Sequence, residues 1–126
     1  MNALSDAAVD KGSFAISGHL EGIEMLVTLR GHADARYKPD LDRFLTVMAS
    51  EAARLGARRV RVDISKVEFM SSSCIKGLVN WIGEIQGLPV DRQYQIHFIS
   101  DPAAQWQRRT LQALAVFGGD LVETTP

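Results

Sequence analysis

Residues 60–78 constrain the chain more than any other segment. Val60, Val62 and Ile64 alternate with Arg61 and Asp63, the period of a strand with one buried face. A short loop and three consecutive serines, Ser71, Ser72 and Ser73, follow. Ile75, Leu78, Val79, Ile82 and Ile85 then recur at helical spacing. The serines therefore stand at a helix N-terminus, where the first backbone N–H groups lack intrahelical partners and the helix dipole is positive. Such an end either takes a serine as its cap or accommodates an anion such as phosphate.

A chain of 126 residues suits one domain, with 46% hydrophobic and 23% charged residues giving ordinary globular composition. The formal net charge of -1 predicts neither nucleic-acid nor anionic-membrane binding. No apolar run is long enough to span a bilayer. Residues 1–11 lack a basic start followed by an apolar core, so no secretory signal is expected. The single cysteine, Cys74, precludes an internal disulfide and fits a reducing cytoplasm.

Taken in order, residues 1–12 are small and polar and are expected to be a flexible tail, leaving residues 13–126 as the domain. Residues 13–19 alternate weakly (Phe14, Ile16) as a first strand, and Glu21-Gly22 signals a turn. Ile23, Met25, Val27 and Leu29 share one face of a second strand that closes a hairpin. Residues 31–40 show no period and are expected to be a loop. Pro39 and Asp40 open a helix with Leu41, Phe44, Leu45, Met48, Ala52 and Leu55 inward, stopped by Gly56. The serine-headed helix ends near Gln86. Tyr94, Ile96 and Phe98 face inward from another strand. Asp101-Pro102 starts a last helix with Trp106, Thr110, Leu111, Leu114 and Phe117 inward, stopped by Gly118-Gly119 before a short edge strand at Leu121-Val122. The expected class is α/β. A mixed sheet of about five strands begins with a hairpin, continues in parallel βα units, and is covered by helices on its apolar face.

This order, with a serine at the loop-to-helix junction after the third strand, resembles the STAS domain of anti-sigma-factor antagonists and sulfate-transporter tails. The family core reads Asp-Leu-Ser-x-Val-x-Phe-Ile-Asp-Ser-Ser/Thr-Gly-Leu-Gly. Asp63, Ile64, Ser65, Val67, Phe69, Met70, Ser72, Ser73 and Ile75 match it. Ser71 stands at the usual Asp, and Cys74 and Lys76 at the usual Gly positions. A related group reads Asn-Thr-Ser-Ser-x-Lys, against which Ser71, Ser72, Ser73, Cys74 and Lys76 align. Both alignments place Ser72 on the phosphorylated position, with Ser73 and Ser71 as secondary candidates. The resemblance also implies that residues 32–38 lie at the partner interface, through Asp34, Arg36 and Tyr37, together with Ser71, Ser73 and Lys76.

Each of these residues has a plainer alternative. Ser71, Ser72 and Ser73 suit N-capping, which contributes about 1 kcal/mol. Lys76 lies four residues after Ser72 on one helix face, where it steadies a phosphate, meets an acidic partner, or is simply solvated. The Ser73-to-Lys76 spacing also spells the S-x-x-K of penicillin-binding enzymes, but the chain is too short and the companion motifs are missing. Cys74 in a first helical turn suits either a thiolate nucleophile, with His97 as base, or a small packed side chain. Trp81, off the helix's apolar stripe, suits an exposed interface anchor or packing under a loop. Gly77 and Gly83 point to close approach by a partner or by the sheet. His19, His32 and His97 form no metal-ligand spacing with the carboxylates, so neither a metal nor a cofactor is expected.

The resemblance implies a bacterial, cytoplasmic signalling protein without enzyme activity. It binds a partner when Ser72 is unmodified and releases it when a serine kinase acts, and a phosphatase resets it. The partner is an anti-sigma kinase or another signalling protein such as a diguanylate cyclase. Two other readings remain at this level: an unphosphorylated STAS-like subunit of a larger assembly, for example a membrane lipid transporter, and a small Cys74 enzyme.

Overall fold

The computed structural model describes residues 3–126. These residues form a six-stranded mixed sheet whose spatial order equals its sequence order. Its strands are β1 (Val9–Asp10), β2 (Phe14–Glu21), β3 (Glu24–Ala33), β4 (Arg59–Met70), β5 (Gln95–Ile99) and β6 (Val122–Thr125). The helices are α1 (Ala3–Ala7), α2 (Lys38–Leu55), α3 (Ser72–Gln86) and α4 (Gln105–Gly118). β2 and β3 pair antiparallel as the expected hairpin, while β3, β4, β5 and β6 run parallel. The helices bury one face of the sheet. Phe14, Ile16, Met25, Val27, Leu29, Val60, Val62, Ile64, Ile96 and Phe98 point into it, each nearly inaccessible to water. Gly56 adopts the left-handed conformation that ends α2, as expected from its position.

The expected tail is instead part of the fold. Residues 1 and 2 lie outside the described residues, but Leu4, Ala7 and Val9 are buried in the core. Val9 pairs with Ile16 and adds a sixth strand to the five expected. A helix of five residues is not stable alone. The burial of Leu4, a contribution of about 2 kcal/mol, holds it down. The apolar residues Leu4, Ala7 and Val9 were too few and too small to show a period among Ser5, Asp6 and Asp10.

β3 and β4 are longer than expected. β3 continues through Gly31 to Ala33, and β4 runs to Met70 through the segment expected to be a loop. Two register shifts, between Thr28 and Arg30 and between Gly31 and His32, put extra residues into β4 and break its alternation. Asp63 stabilises the first irregularity, its Oδ1 accepting from the Ser65 N–H and hydroxyl at 2.9 and 2.6 Å. Gly31 has φ +88 and sits so close to β2 that a Cβ would overlap the Ser13 carbonyl. At the other end of the hairpin, β3 begins at Glu24. Ile23 lies in the turn, 66% exposed, rather than inward.

Two helical faces differ from expectation. In α4 the buried residues are Gln107, Leu111, Leu114 and Gly118, while Trp106 and Thr110 are half-buried and Phe117 is exposed. Gln107 is wholly inaccessible. Its Nε2 donates to the Ile64 and Val67 carbonyls at 3.0 and 2.9 Å, and its Oε1 accepts from the Asp101 N–H at 2.8 Å. β5 pairs β4 only as far as Asp63, so the carbonyls beyond it need another partner, and Gln107 supplies one. In α3, Trp81 is 2% exposed and its Nε1 donates to the Tyr94 hydroxyl at 2.9 Å, so it packs inside rather than presenting itself. Burial pushes the Tyr94 phenol up from its usual pKa, partly offset by that bond. Leu55, at the end of α2, is 38% exposed.

Replacing Gln107 with leucine keeps the volume but leaves the Ile64 and Val67 carbonyls and the Asp101 N–H without partners. Urea denaturation is expected to show a loss of about 2–5 kcal/mol. A loss below 0.5 kcal/mol, the rough level of a neutral surface change, would contradict this role.

Candidate functional site

The serine cluster stands where β4 hands over to α3. The β3–β4 ladder continues to its last residues, pairing His32 with Phe69 and Ala33 with Met70, and the Ser71 N–H then donates to the Ala33 carbonyl at 2.8 Å. Ser71 is extended (φ -68, ψ 157) and caps α3, its Oγ accepting from the Cys74 N–H at 3.2 Å. Ser73 is half-buried, with its Oγ 3.0 Å from that of Ser71. Ser72 is the exposed member. Among the described residues its hydroxyl has no hydrogen-bond partner, and the Ser72 and Ser73 amides are open N-terminal donors of the helix. Capping and exposure are thus divided between neighbours. Ser71 does locally what an aspartate does at this position, since Asp and Ser are comparable caps.

The loop after β3 is brought against the same corner. Ala35–Tyr37 form a single 3-10 turn, capped by the Asp34 carboxylate, which accepts from the Arg36 N–H and Nε at 3.1 and 3.2 Å. The Cys74 thiol donates to the Asp34 carbonyl at 3.5 Å, tying loop to helix. Arg36 is exposed and lies 4.9 Å over the Tyr37 ring. Asp34 and Arg36 therefore accompany Ser72 at the surface. Tyr37 does not: its ring is buried and stacked on Phe14 at 5.0 Å, and its hydroxyl is 2.6 Å from Ser13 Oγ. It anchors the loop to β2. Lys76 is exposed one turn along α3 and, among the described residues, carries no ion pair.

Cys74 is completely buried, and burial pushes its thiol pKa up, a change that the Ser71 bond only partly offsets. That is the reverse of an activated nucleophile. His97 lies between Ile96 and Phe98, both inward, so it faces the opposite, uncovered side of the sheet, where its Nε2 meets Thr125 Oγ1 at 2.9 Å. The two groups do not form a catalytic pair.

One feature of this corner escaped sequence reasoning. Phe69, two residues before Ser71, is 47% exposed beside the His32 Nε2–Glu68 Oε2 contact of 3.2 Å. It points outward because the second β4 irregularity turns it while keeping Val67 and Met70 inside. Only the unusual spacing of inward residues at 64, 67 and 70 hinted at this. At Gly77 the expected close approach is made by α2 rather than by a partner or the sheet: a Cβ there would lie 3.1 Å from Asp42 Oδ1, so glycine lets α2 and α3 approach beside the Lys38–Asp42 pair. Nothing in the structure explains Gly83.

This division of labour predicts unequal costs. Ser71→Ala is expected to lower stability by about 1 kcal/mol, and Ser72→Ala by under 0.5 kcal/mol, as measured by thermal or urea unfolding. Equal losses would contradict the assignment of the cap to Ser71.

No protein-family model and no curated protein sequence matches the chain. Among solved structures, the crystal structure of an anti-sigma factor antagonist from Mycobacterium paratuberculosis matches it with a TM-score of 0.66 at 16% identity, over 92% of this chain and 90% of that one. At this identity the likeness concerns the fold. The chain has the STAS fold of the anti-sigma factor antagonists.

Proposed function

We propose that this protein is a regulator of the anti-sigma-factor-antagonist kind, without catalytic activity of its own. It binds a partner protein while Ser72 is unmodified and releases it when Ser72 is phosphorylated. The observation that carries this reading is the state of Ser72: an exposed hydroxyl with no partner among the described residues, at the head of a 15-residue helix whose cap is already supplied by Ser71. A phosphate there adds about −1.5 to −2 charges and strong acceptor oxygens. The open Ser72 and Ser73 amides and the α3 dipole favour that charge, and Lys76 lies one turn away, so the fold tolerates the modification. A partner surface fitted to a neutral serine does not. The switch acts at the interface formed by Ser72, Lys76, Asp34, Arg36 and the exposed Phe69.

The partner in this reading is a serine kinase that serves as an anti-sigma factor, with a phosphatase to reset the system, or a signalling enzyme such as a diguanylate cyclase. The setting is the cytoplasm. Among the described residues, no helix is long and apolar enough to cross a membrane. One observation favours a second reading, an unphosphorylated subunit of a larger assembly such as a membrane lipid transporter: no carboxylate orients the Ser72 hydroxyl, because Ser71 replaces the family aspartate.

Capture from lysates of the source cells on immobilised wild-type, Ser72→Ala and Ser72→Glu protein separates the two. The switch predicts that Ser72→Ala retains the same partner and that Ser72→Glu loses it by about tenfold or more, since an uncompensated charge at an interface costs over 1.4 kcal/mol. Equal retention by the glutamate variant would refute the switch and leave the constitutive subunit.

A further inference from the structure

At the end of the molecule opposite Ser72, where α2 and α3 finish and β4 begins, lies a cavity of about 400 Å³. Ala52, Ala53, Ala57 and Leu88 give it an apolar lining, which Arg58 and Arg92 share. Its volume falls in the range of small-molecule sites, about 300–1,000 Å³. The two arginines have no evident structural employment. Arg54 pairs with Glu51 at 2.9 Å and Arg59 with Glu123 at 3.7 Å, whereas the Arg58 and Arg92 guanidinium groups have no ion-pair or hydrogen-bond partner among the described residues.

The ordinary use of arginine at helix C-termini is to bond the last carbonyls, and here several of those carbonyls are bonded by other groups. Ala52 O and Ala53 O accept from Gly56 N, and Ala52 O also from Ala57 N at 3.0 Å. Gly83 O, Glu84 O and Ile85 O accept from Gly87 N and Leu88 N at 3.0–3.2 Å. The Gln93 side chain bonds Gln86 O and Leu88 O at 3.3 and 3.1 Å. The arginine backbones are nonetheless fixed, through Gln95 N to Arg58 O at 3.0 Å and Arg92 N to Pro89 O at 2.8 Å.

We propose that this cavity binds a small amphiphilic carboxylate, its head held by Arg58 and Arg92 and its hydrocarbon body lying on Ala52, Ala53, Ala57 and Leu88. Guanidinium groups match carboxylates in geometry and charge. Asp91, the one carboxylate among the lining residues beside two arginines, leaves a net charge of about one and so favours a singly charged head over a dianion. The proposal is independent of Ser72, which lies at the other end of the parallel strands.

Titration of the whole protein with octanoate, followed by backbone amide NMR, tests it. Saturable shifts are expected at residues 52–58 and 88–93. Arg58→Gln and Arg92→Gln should each weaken binding by about tenfold, the loss of one charge-assisted contact, with amide spectra unchanged away from the cavity. Octanol, with the same body and no charge, should bind comparably more weakly. Ala53→Trp, which fills the cavity and keeps both arginines, should abolish binding. Absence of saturation at millimolar octanoate, shifts centred elsewhere, or equal binding by either arginine variant or by octanol would overturn the proposal.

Discussion

The parallel pairing of β3 with β4 is the constraint on which the rest of the structure depends. It continues to Ala33 and Met70 and passes directly into the Ser71 N–H bond to Ala33. That bond fixes where α3 begins and therefore which serine becomes the cap. The Asp34–Tyr37 turn starts at the next residue of the same ladder, so two segments more than thirty positions apart in sequence reach one corner. A slip of one residue would exchange the inward and outward sets along β4 and turn the serines with them.

Holding so long a strand at the centre of the sheet creates a local problem. β5 ends opposite Asp63, and beyond it β4 carries buried carbonyls on the side where no strand follows. The chain answers with side chains rather than with more sheet: Asp63 bonds its own irregular turn, and Gln107 reaches across from α4. The Gln107 bonds lie on the buried side of the segment that ends at Ser71. The support of the serine corner is therefore polar and local, while the apolar core beneath is shared by the whole domain.

Much of this was legible in the sequence. The alternation of Val60, Val62 and Ile64, the hairpin around Glu21-Gly22, the Gly56 stop and the helical stripes of α2 and α3 all express periods that backbone geometry imposes. What escaped did so for physical reasons. Irregularities in β4 broke the period of two, so residues 65–70 looked like a loop and only the spacing of Ile64, Val67 and Met70 hinted that Phe69 faces outward. Gln107 was left out of the expected inward face, because sequence does not reveal that a buried carbonyl awaits a glutamine. Trp106 consequently took the inward place in the expected face. Leu4 and Val9 were too sparse to show a period. At the site, Ser72 and Lys76 lie on the surface as expected and Tyr37 does not, since a tyrosine in a polar loop reads the same whether its ring is presented or stacked on Phe14.

The serine corner joins a rigid scaffold to one uncommitted hydroxyl, and the functional reading rests on that hydroxyl being the group that changes. Intact and tryptic-peptide mass of the protein isolated from its own cells, wild type beside Ser72→Ala, tests this most directly. The account predicts a single phosphate on the peptide containing Ser72, absent from the variant. A wild-type protein that carries no phosphate under any growth condition, or one whose phosphate persists in Ser72→Ala, would contradict it.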